Sequence, residues 1–381
     1  MSAAPILFVD HAQARGGAQN CLLLLLEEID RERFTPHLAT QPGHLADAAR
    51  ALGVSVHQVP LRKLRGAAAG PWHLARATVR LTRLIRREGI ALVHANSLRA
   101  SAYAGPAAFL TRRPLVWHVH DVLSPSPYVR WLARRCRSAI AVSQAVAAPL
   151  PCGDKVRVIH NGVRAGDFAG DRRPQAARLR QTWGIPADAV LIGQVARLQP
   201  WKGQRDVIAA AERLRDLDRV HIAIIGGDIF DDAVGYEREL KTTVRSRGLG
   251  DRVVFTGHQD DMPAVLSAVD ILVHASDNEP FGRVLIEAAA AGVPVVAYAS
   301  GAVPEIITHE QTGLLVPSGD VGALSAALRQ LATTPGLAQR LADNAGREVR
   351  NRFDSEQVTR AIERVLASLL ARSPSLPGRR R

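Results

Sequence analysis

Glu279 and Glu287 stand in the stretch SDNEPFGRVLIEAAAAGVPVVA (276–297) with seven residues between them. The first is at the mouth of a helical pattern and the second is two turns inside it, among alanines. A carboxylate on an apolar helix face costs free energy unless something pairs with it. Two adjacent hydroxyls, as on a ribose or another sugar, suit a carboxylate that accepts in pairs, and alanines allow close approach. Glu287 is therefore expected to be buried against a ligand's hydroxyls and not against protein, with Glu279 outside the helix facing an open cleft. The amides around Phe281 and Gly282, at the helix N-terminus, are placed for a phosphate.

Three further stretches carry residue types suited to the same chemistry. In GQVARLQPWKGQRD (193–206), Arg197 and Lys202 would meet a diphosphate as a fork and a point charge. In VWHVHDV (116–122), His118 and His120 alternate on a strand and share a face, with Asp121 beside them. A histidine at a strand's end serves as acid, base or donor near neutral pH. In VDHAQARGGAQN (9–20), Gly16 and Gly17 open a helix, either as a tight turn or to let backbone amides approach an anion. No G-x-G-x-x-G follows a strand, so the dinucleotide fingerprint is missing. Asp228, Asp231 and Asp232 in GDIFDD have the wrong spacing for an Asp-x-Asp metal motif and read as a solvated loop. No metal site is expected.

The elements that must position these residues alternate along the chain. Apolar runs at 6–10, 37–40, 54–59, 91–94, 115–120, 139–142 and 156–160 read as strands separated by helical stretches such as 18–29, 74–88 and 97–110. A second series follows at 190–196, 221–225, 253–256, 271–274 and 295–297, and beyond 320 the pattern is helical only. Continuous apolar strands between helices indicate parallel sheets covered on both faces. The stretch NGVRAGDFAGDRRPQ reads as a linker, giving a first domain over 1–165 and a second over 166–352. A terminal helix over 353–371 and a disordered tail over 372–381 complete the division. In such α/β folds ligands bind outside the carboxyl ends of the strands, where all four stretches fall.

Composition narrows the class. A length of 381 residues with 47% apolar content suits two globular domains, and no apolar run approaches the roughly 20 residues of a membrane span. The N-terminus lacks a basic region and does not read as a signal peptide. Three scattered cysteines (Cys21, Cys136, Cys152) form neither a disulfide framework nor a metal site, so a reducing cytoplasm is expected. Residues 1–165 carry 22 Lys and Arg against 9 Asp and Glu, whereas 166–381 carry 27 of each, so the whole net charge of +13 sits in the first half. Arg76, Arg80, Arg83 and Arg87 form one stripe on a helix, with Ala75, Val79, Thr82 and Ile85 expected to pack on the sheet. Arg130, Arg134, Arg135 and Arg137 make a second cluster. Nucleic acid is not the expected partner, because aromatics are only 4% of the chain and form no stacking pattern.

EPFGRVLIEAAAAGVPVVA resembles the E-x7-E signature of retaining glycosyltransferases of family 4, which have the GT-B fold. ARLQPWKG resembles that family's phosphate loop, RGGAQ its glycine loop and HVHD its histidine-bearing strand end; VIHNGV and the order of elements agree over residues 5 to 370. The resemblance implies two Rossmann-like parallel-sheet domains facing each other across a cleft. It implies that Arg197 and Lys202 hold the donor diphosphate, helped by amides near Gly17 and Gly282. Glu287 would bind the ribose, Glu279 the transferred sugar, and His120 would sit near sugar and acceptor, with His118 as a second ring on the same face. The loop GHQDD (257–261) would border the base, and the helix after Asp354 would pack back across the domains.

The implied activity is retaining transfer from a nucleotide-diphosphate sugar to an acceptor, without metal or cofactor, in cell-surface polysaccharide or glycolipid synthesis. A sugar-nucleotide epimerase and a non-catalytic sugar-nucleotide binder are the alternatives. A glycoside hydrolase would leave the Arg197–Lys202 loop without a purpose. The basic first domain points to an anionic or lipid-linked acceptor and to peripheral attachment at the cytoplasmic membrane face.

Overall fold

The computed structural model of the chain describes residues 3–13, 16–61, 70–228 and 234–372. Arg15, Asp231, Asp232 and the tail from 373 lie outside them. The chain divides into two compact units, one comprising residues up to Asn161 together with those from Ser355, the other Gly162–Asp354. The second unit is closed by its own ends, since Val163 donates to the Phe353 carbonyl and bridges Asp354.

The first unit holds β1 (Ala4–Val9), β2 (Phe34–Thr40), β3 (Ser55–Gln58), β4 (Leu92–Ala95), β5 (Leu115–Val119), β6 (Ser138–Ala141) and β7 (Val156–Val158). They lie in the order β3-β2-β1-β4-β5-β6-β7, every pair parallel. The second unit holds β8 (Val190–Val195), β9 (Val220–Ile225), β10 (Val253–Gly257), β11 (Ile271–His274), β12 (Val295–Tyr298) and β13 (Leu314–Val316). Their order is β10-β9-β8-β11-β12-β13, again all parallel. Central strands such as β4, β6, β11 and β12 are buried at every residue, as a sheet covered on both faces requires. In each sheet the strand order reverses at one place, between β1 and β4 and between β8 and β11. Loops leaving those two pairs diverge and open a crevice.

After β13 the chain is helical, and its last helix, Ser355–Ala371, returns to the first unit. Ile362, Leu366 and Leu369 join the core with Leu22, Leu25 and Leu26 of the helix Gly17–Glu28. Glu28 accepts from Ser355 Oγ at 2.6 Å and from Thr359 Oγ1 at 2.9 Å, which fixes the rotation of the terminal helix.

The arginine-bearing helix spans Gly70–Arg87, and Arg76, Arg80, Arg83 and Arg87 are all exposed. Its buried face is the expected one at Thr82 and Ile85 but not at Ala75 and Val79. Ala77, Thr78, Leu81, Thr82, Leu84 and Ile85 pack inward, while Ala75 is exposed and Val79 is 47% exposed. The i, i+4, i+7 row through Ala77, Leu81 and Leu84 carries more apolar area than a row started at Ala75, so it wins the core.

Candidate functional site

The two loops at the β8/β11 switch point carry the charged residues. After β8 the chain passes Arg197 and enters a short 3-10 turn, Pro200–Lys202. Gln194 Nε2 donates to the Lys202 carbonyl and Gln204 Nε2 to the Arg197 carbonyl, so both cationic residues have their backbone pinned. Gly203 follows with φ +73°, and a Cβ there would stand 2.1 Å from the Ala275 carbonyl oxygen. Only glycine lets this loop lie against the end of β11.

The loop after β11 is held as tightly. Asn278 takes a left-handed φ of 49° and donates its amide to Ser300 Oγ at 2.7 Å. Gly301 lies so near that a Cβ would meet Glu279 O at 2.3 Å. A non-glycine residue at positive φ is strain that only an over-determined surrounding sustains. The helix Arg283–Ala291 then begins at Gly282, leaving its first amides without helical partners. The Phe281 ring packs edge-on against Phe353, so this residue has only its backbone to offer a ligand.

Glu279 does not face open space. It is 5% exposed, Lys202 Nζ donates to its Oε2 at 2.7 Å, and His274 Nε2 lies 3.1 Å from the same oxygen. Burial alone would raise its carboxyl; His274 and the Lys202 ammonium overcome that and hold it well below the usual carboxylate range. Lys202 is lowered by burial and by Arg197, with Glu279 pulling the other way.

Glu287 is also 8% exposed and paired with protein, contrary to the expectation that only a ligand would meet it. Arg283, one turn earlier on the same helix, donates to Oε1 through Nε at 3.2 Å and Nη2 at 2.8 Å. The i, i+4 spacing makes this contact local and explains how the helix sustains a buried acid. Asp261 of the GHQDD loop caps the helix Met262–Ala268 through the Ala264 amide.

The β1/β4 switch point of the first unit brings together the remaining candidates. Gly16 caps the helix Gly17–Glu28 with φ −147°, an extended conformation open to any residue, so a tight turn does not explain this glycine. His118 lies on β5, is 4% exposed and shares a 3.3 Å contact with His94, while burial pushes its ring down to about 4. His120, one residue beyond β5, stacks on His118 with ring centroids 4.3 Å apart and is less buried. Its Nε2 lies 3.1 Å from Asn96 Oδ1. The structure thus separates two histidines that the strand pattern left equivalent. His274, Arg283, Asp10 and Asn96 carry contacts at these places that motif spacing did not reveal. Asp10 and His274 do stand at the ends of apolar runs, where polar residues at strand ends signal a site.

Two parallel sheets of this kind, each with its polar residues at a switch point, make two Rossmann-like units of the ligand-binding α/β class. Residues 175–348 match the family Glycosyl transferases group 1, and residues 15–166 match Glycosyltransferase Family 4. The lipopolysaccharide core biosynthesis mannosyltransferase LpcC of Rhizobium leguminosarum is 32% identical over 64% of this chain and 68% of its own length. The 2-deoxystreptamine glucosyltransferase of Streptomyces kanamyceticus is 30% identical over 78% of this chain and 83% of its own. For the 2-deoxystreptamine N-acetyl-D-glucosaminyltransferase of Streptomyces fradiae, 34% identical over 52% of this chain, the match spans only 47% of that protein. Among solved structures, Anabaena HepE in complex with UDP and glucose superposes with a TM-score of 0.83 at 28% identity, covering 95% of this chain and 99% of that one. The chain belongs to the group 1, family 4 glycosyltransferases.

If Glu287 binds a donor's ribose diol, Glu287→Ala is expected to weaken donor binding by about 1–3 kcal/mol, measured by calorimetry. Arg283→Ala should weaken it less, because it frees an acceptor oxygen while loosening the side chain. Equal affinity of wild type and Glu287→Ala would remove this role.

Proposed function

We propose that this chain transfers a sugar, with retention at the anomeric carbon, from a nucleotide-diphosphate sugar to an acceptor at an anionic membrane surface. The observation that carries the donor half is the convergence of Arg197, Lys202 and Glu279 on the loops of the β8/β11 switch point with the N-terminus of the helix that carries Arg283 and Glu287. A departing diphosphate builds up negative charge, and preorganised cations with a helix N-terminus stabilise it without a metal. The HepE complexes with UDP and with UDP-glucose make uridine nucleotides the first donors to test. Thermal shift against a panel of nucleotide sugars, followed by NMR of the product's anomeric configuration, tests this half. Stabilisation without turnover would indicate a binder, a rearranged free sugar would indicate an epimerase, and an inverted product would remove retention.

The acceptor half rests on the first unit's surface. Trp72, Arg76, Val79, Arg80, Arg83 and Arg87 run along the exposed side of one helix, with Trp72 71% exposed. The neighbouring helix Leu98–Leu110 ends in exposed Phe109 and Leu110, and Arg135 lies 4.4 Å over the Phe109 ring. Basic residues among exposed apolar ones fit the headgroup boundary of an anionic leaflet, each basic residue contributing roughly 1 kcal/mol. No helix among the described residues is long and apolar enough to cross a membrane. This reading places the enzyme peripherally on the cytoplasmic face, with a lipid-linked or otherwise anionic acceptor in surface polysaccharide or glycolipid synthesis. Co-sedimentation with vesicles is expected to need anionic lipid, to fall with salt and to drop when the four arginines become Gln. Indifference to anionic vesicles at low salt would instead favour a soluble acceptor.

A further inference from the structure

Asp10 is fully buried at the end of β1, where an unpaired carboxylate would be costly. Its Oδ1 accepts from the Ala12 amide at 2.7 Å and from Gln19 Nε2 at 3.2 Å. Its Oδ2 accepts from Gln19 Nε2 at 3.1 Å and from Asn96 Nδ2 at 2.8 Å. Asn96 stands just after β4, 1% exposed, and Nδ2 also donates to the Ala18 carbonyl at 3.2 Å. Both neighbours of that amide nitrogen, a carboxylate and a carbonyl, accept hydrogen bonds. The Asn96 amide therefore has one orientation, with NH2 toward Asp10 and Ala18 and Oδ1 toward His120. Since Oδ1 only accepts, His120 Nε2 must carry the hydrogen across the 3.1 Å contact.

We propose that Asp10, acting through Asn96, is the positioning residue that holds the His120 imidazole as its Nε2–H tautomer and ties it to the glycine-bearing helix. In the neutral ring Nδ1 is then the acceptor nitrogen, able to receive a hydrogen bond at that position but not to donate one. The ring's plane is fixed as well, because His118 stacks against it and is itself held by His94. Ala12 and Gln19 bracket the loop that leads to Gly16 and Gly17. One carboxylate thus sets both the histidine and the start of that helix. Burial raises the Asp10 carboxyl against the hydrogen bonds that lower it, but Ala18 orients Asn96 whichever proton state Asp10 adopts. The consequence for turnover rests on the reading that places the transferred sugar near His120; the tautomer does not.

The test uses the full chain with 15N-labelled histidine. NMR of the neutral His120 ring is expected to show the hydrogen on Nε2. Asn96→Leu, which removes the acceptor, should give a mixture of tautomers. Asp10→Asn must turn a donor toward the Ala12 amide, Gln19 or Asn96, and is expected to broaden the ring signals. If it does not fold, Asn96→Leu and the wild-type ring decide. Turnover should fall about 10- to 100-fold in Asn96→Leu, with donor KM within about twofold, a part of what a positioned ring supplies. A wild-type ring with its hydrogen on Nδ1, or an unchanged tautomer in Asn96→Leu, would overturn the proposal. His120→Ala with full turnover would overturn the placement of the sugar, leaving the ring spectrum to decide the role of Asp10 by itself.

Discussion

Lys202→Ala is expected to lower sugar transfer by about 10²–10³-fold, the range for losing one preorganised group that stabilises developing charge. It should also destabilise the fold, which a solvated loop cation would not. Lys202 Nζ is one of two groups that hold the buried Glu279 carboxylate, the other being His274. Removing one partner of a buried pair leaves an uncompensated charge and costs about 3–5 kcal/mol. Denaturant unfolding of Lys202→Ala should therefore show a lowered midpoint, partly recovered in the double variant Lys202→Ala/Glu279→Ala. Arg197→Ala is expected to lower turnover with a smaller loss of stability, because Arg197 is only half-buried. If these cations neutralise the diphosphate, EDTA and added Mg²⁺ should leave the wild-type rate unchanged. A strong, reversible loss in EDTA would assign that work to a metal and would remove the functional meaning of the Lys202 result.

Much of this arrangement is legible in the sequence, for reasons that particular residues make clear. The apolar run Ile271–His274 and its helix Arg283–Ala291 were visible because strand and helix have different periods and a glycine stands at the helix's entry. Arg197 and Lys202 were visible because they leave a strand end. β13 was missed because Leu314–Val316 is too short to show a period. The pairing of Glu279 with Lys202 joins residues 77 positions apart, and one-dimensional spacing says nothing about such contacts. Asp10, Asn96 and His120 meet only because β1, β4 and β5 are neighbours in the sheet, with 86 positions between the first two. The Arg283–Glu287 contact is different. Its i, i+4 spacing was in the sequence, but a glutamate among alanines drew attention to a ligand before a neighbour.

Glu279→Gln offers the sharper test of how the site divides its work. The amide keeps the shape of the side chain and loses the charge that faces Lys202 and His274. If Glu279 meets the transferred sugar mainly as the glycosidic bond breaks, turnover should fall more than donor affinity. Two pH effects should accompany the loss. In wild type Glu279 pulls the Lys202 ammonium up against burial and Arg197, so in Glu279→Gln the lysine should lose its proton at lower pH. Turnover by the variant is then expected to decline as pH rises through a range where wild type is flat, and to recover as pH falls. The stability effect runs the other way. The Glu279 carboxyl is depressed in the folded state from an ordinary value of 4.5. Its contribution is therefore complete above that pH and lost as pH falls toward the folded value. The gap in unfolding free energy between wild type and variant should be about 3–5 kcal/mol at neutral pH and should narrow below about pH 4.5. Rates and melting curves across pH 3.5–9 measure both effects on the same pair of proteins. A variant whose turnover and donor affinity fall equally, with a flat pH profile, would show that Glu279 only shapes the pocket and does not control the charge of Lys202.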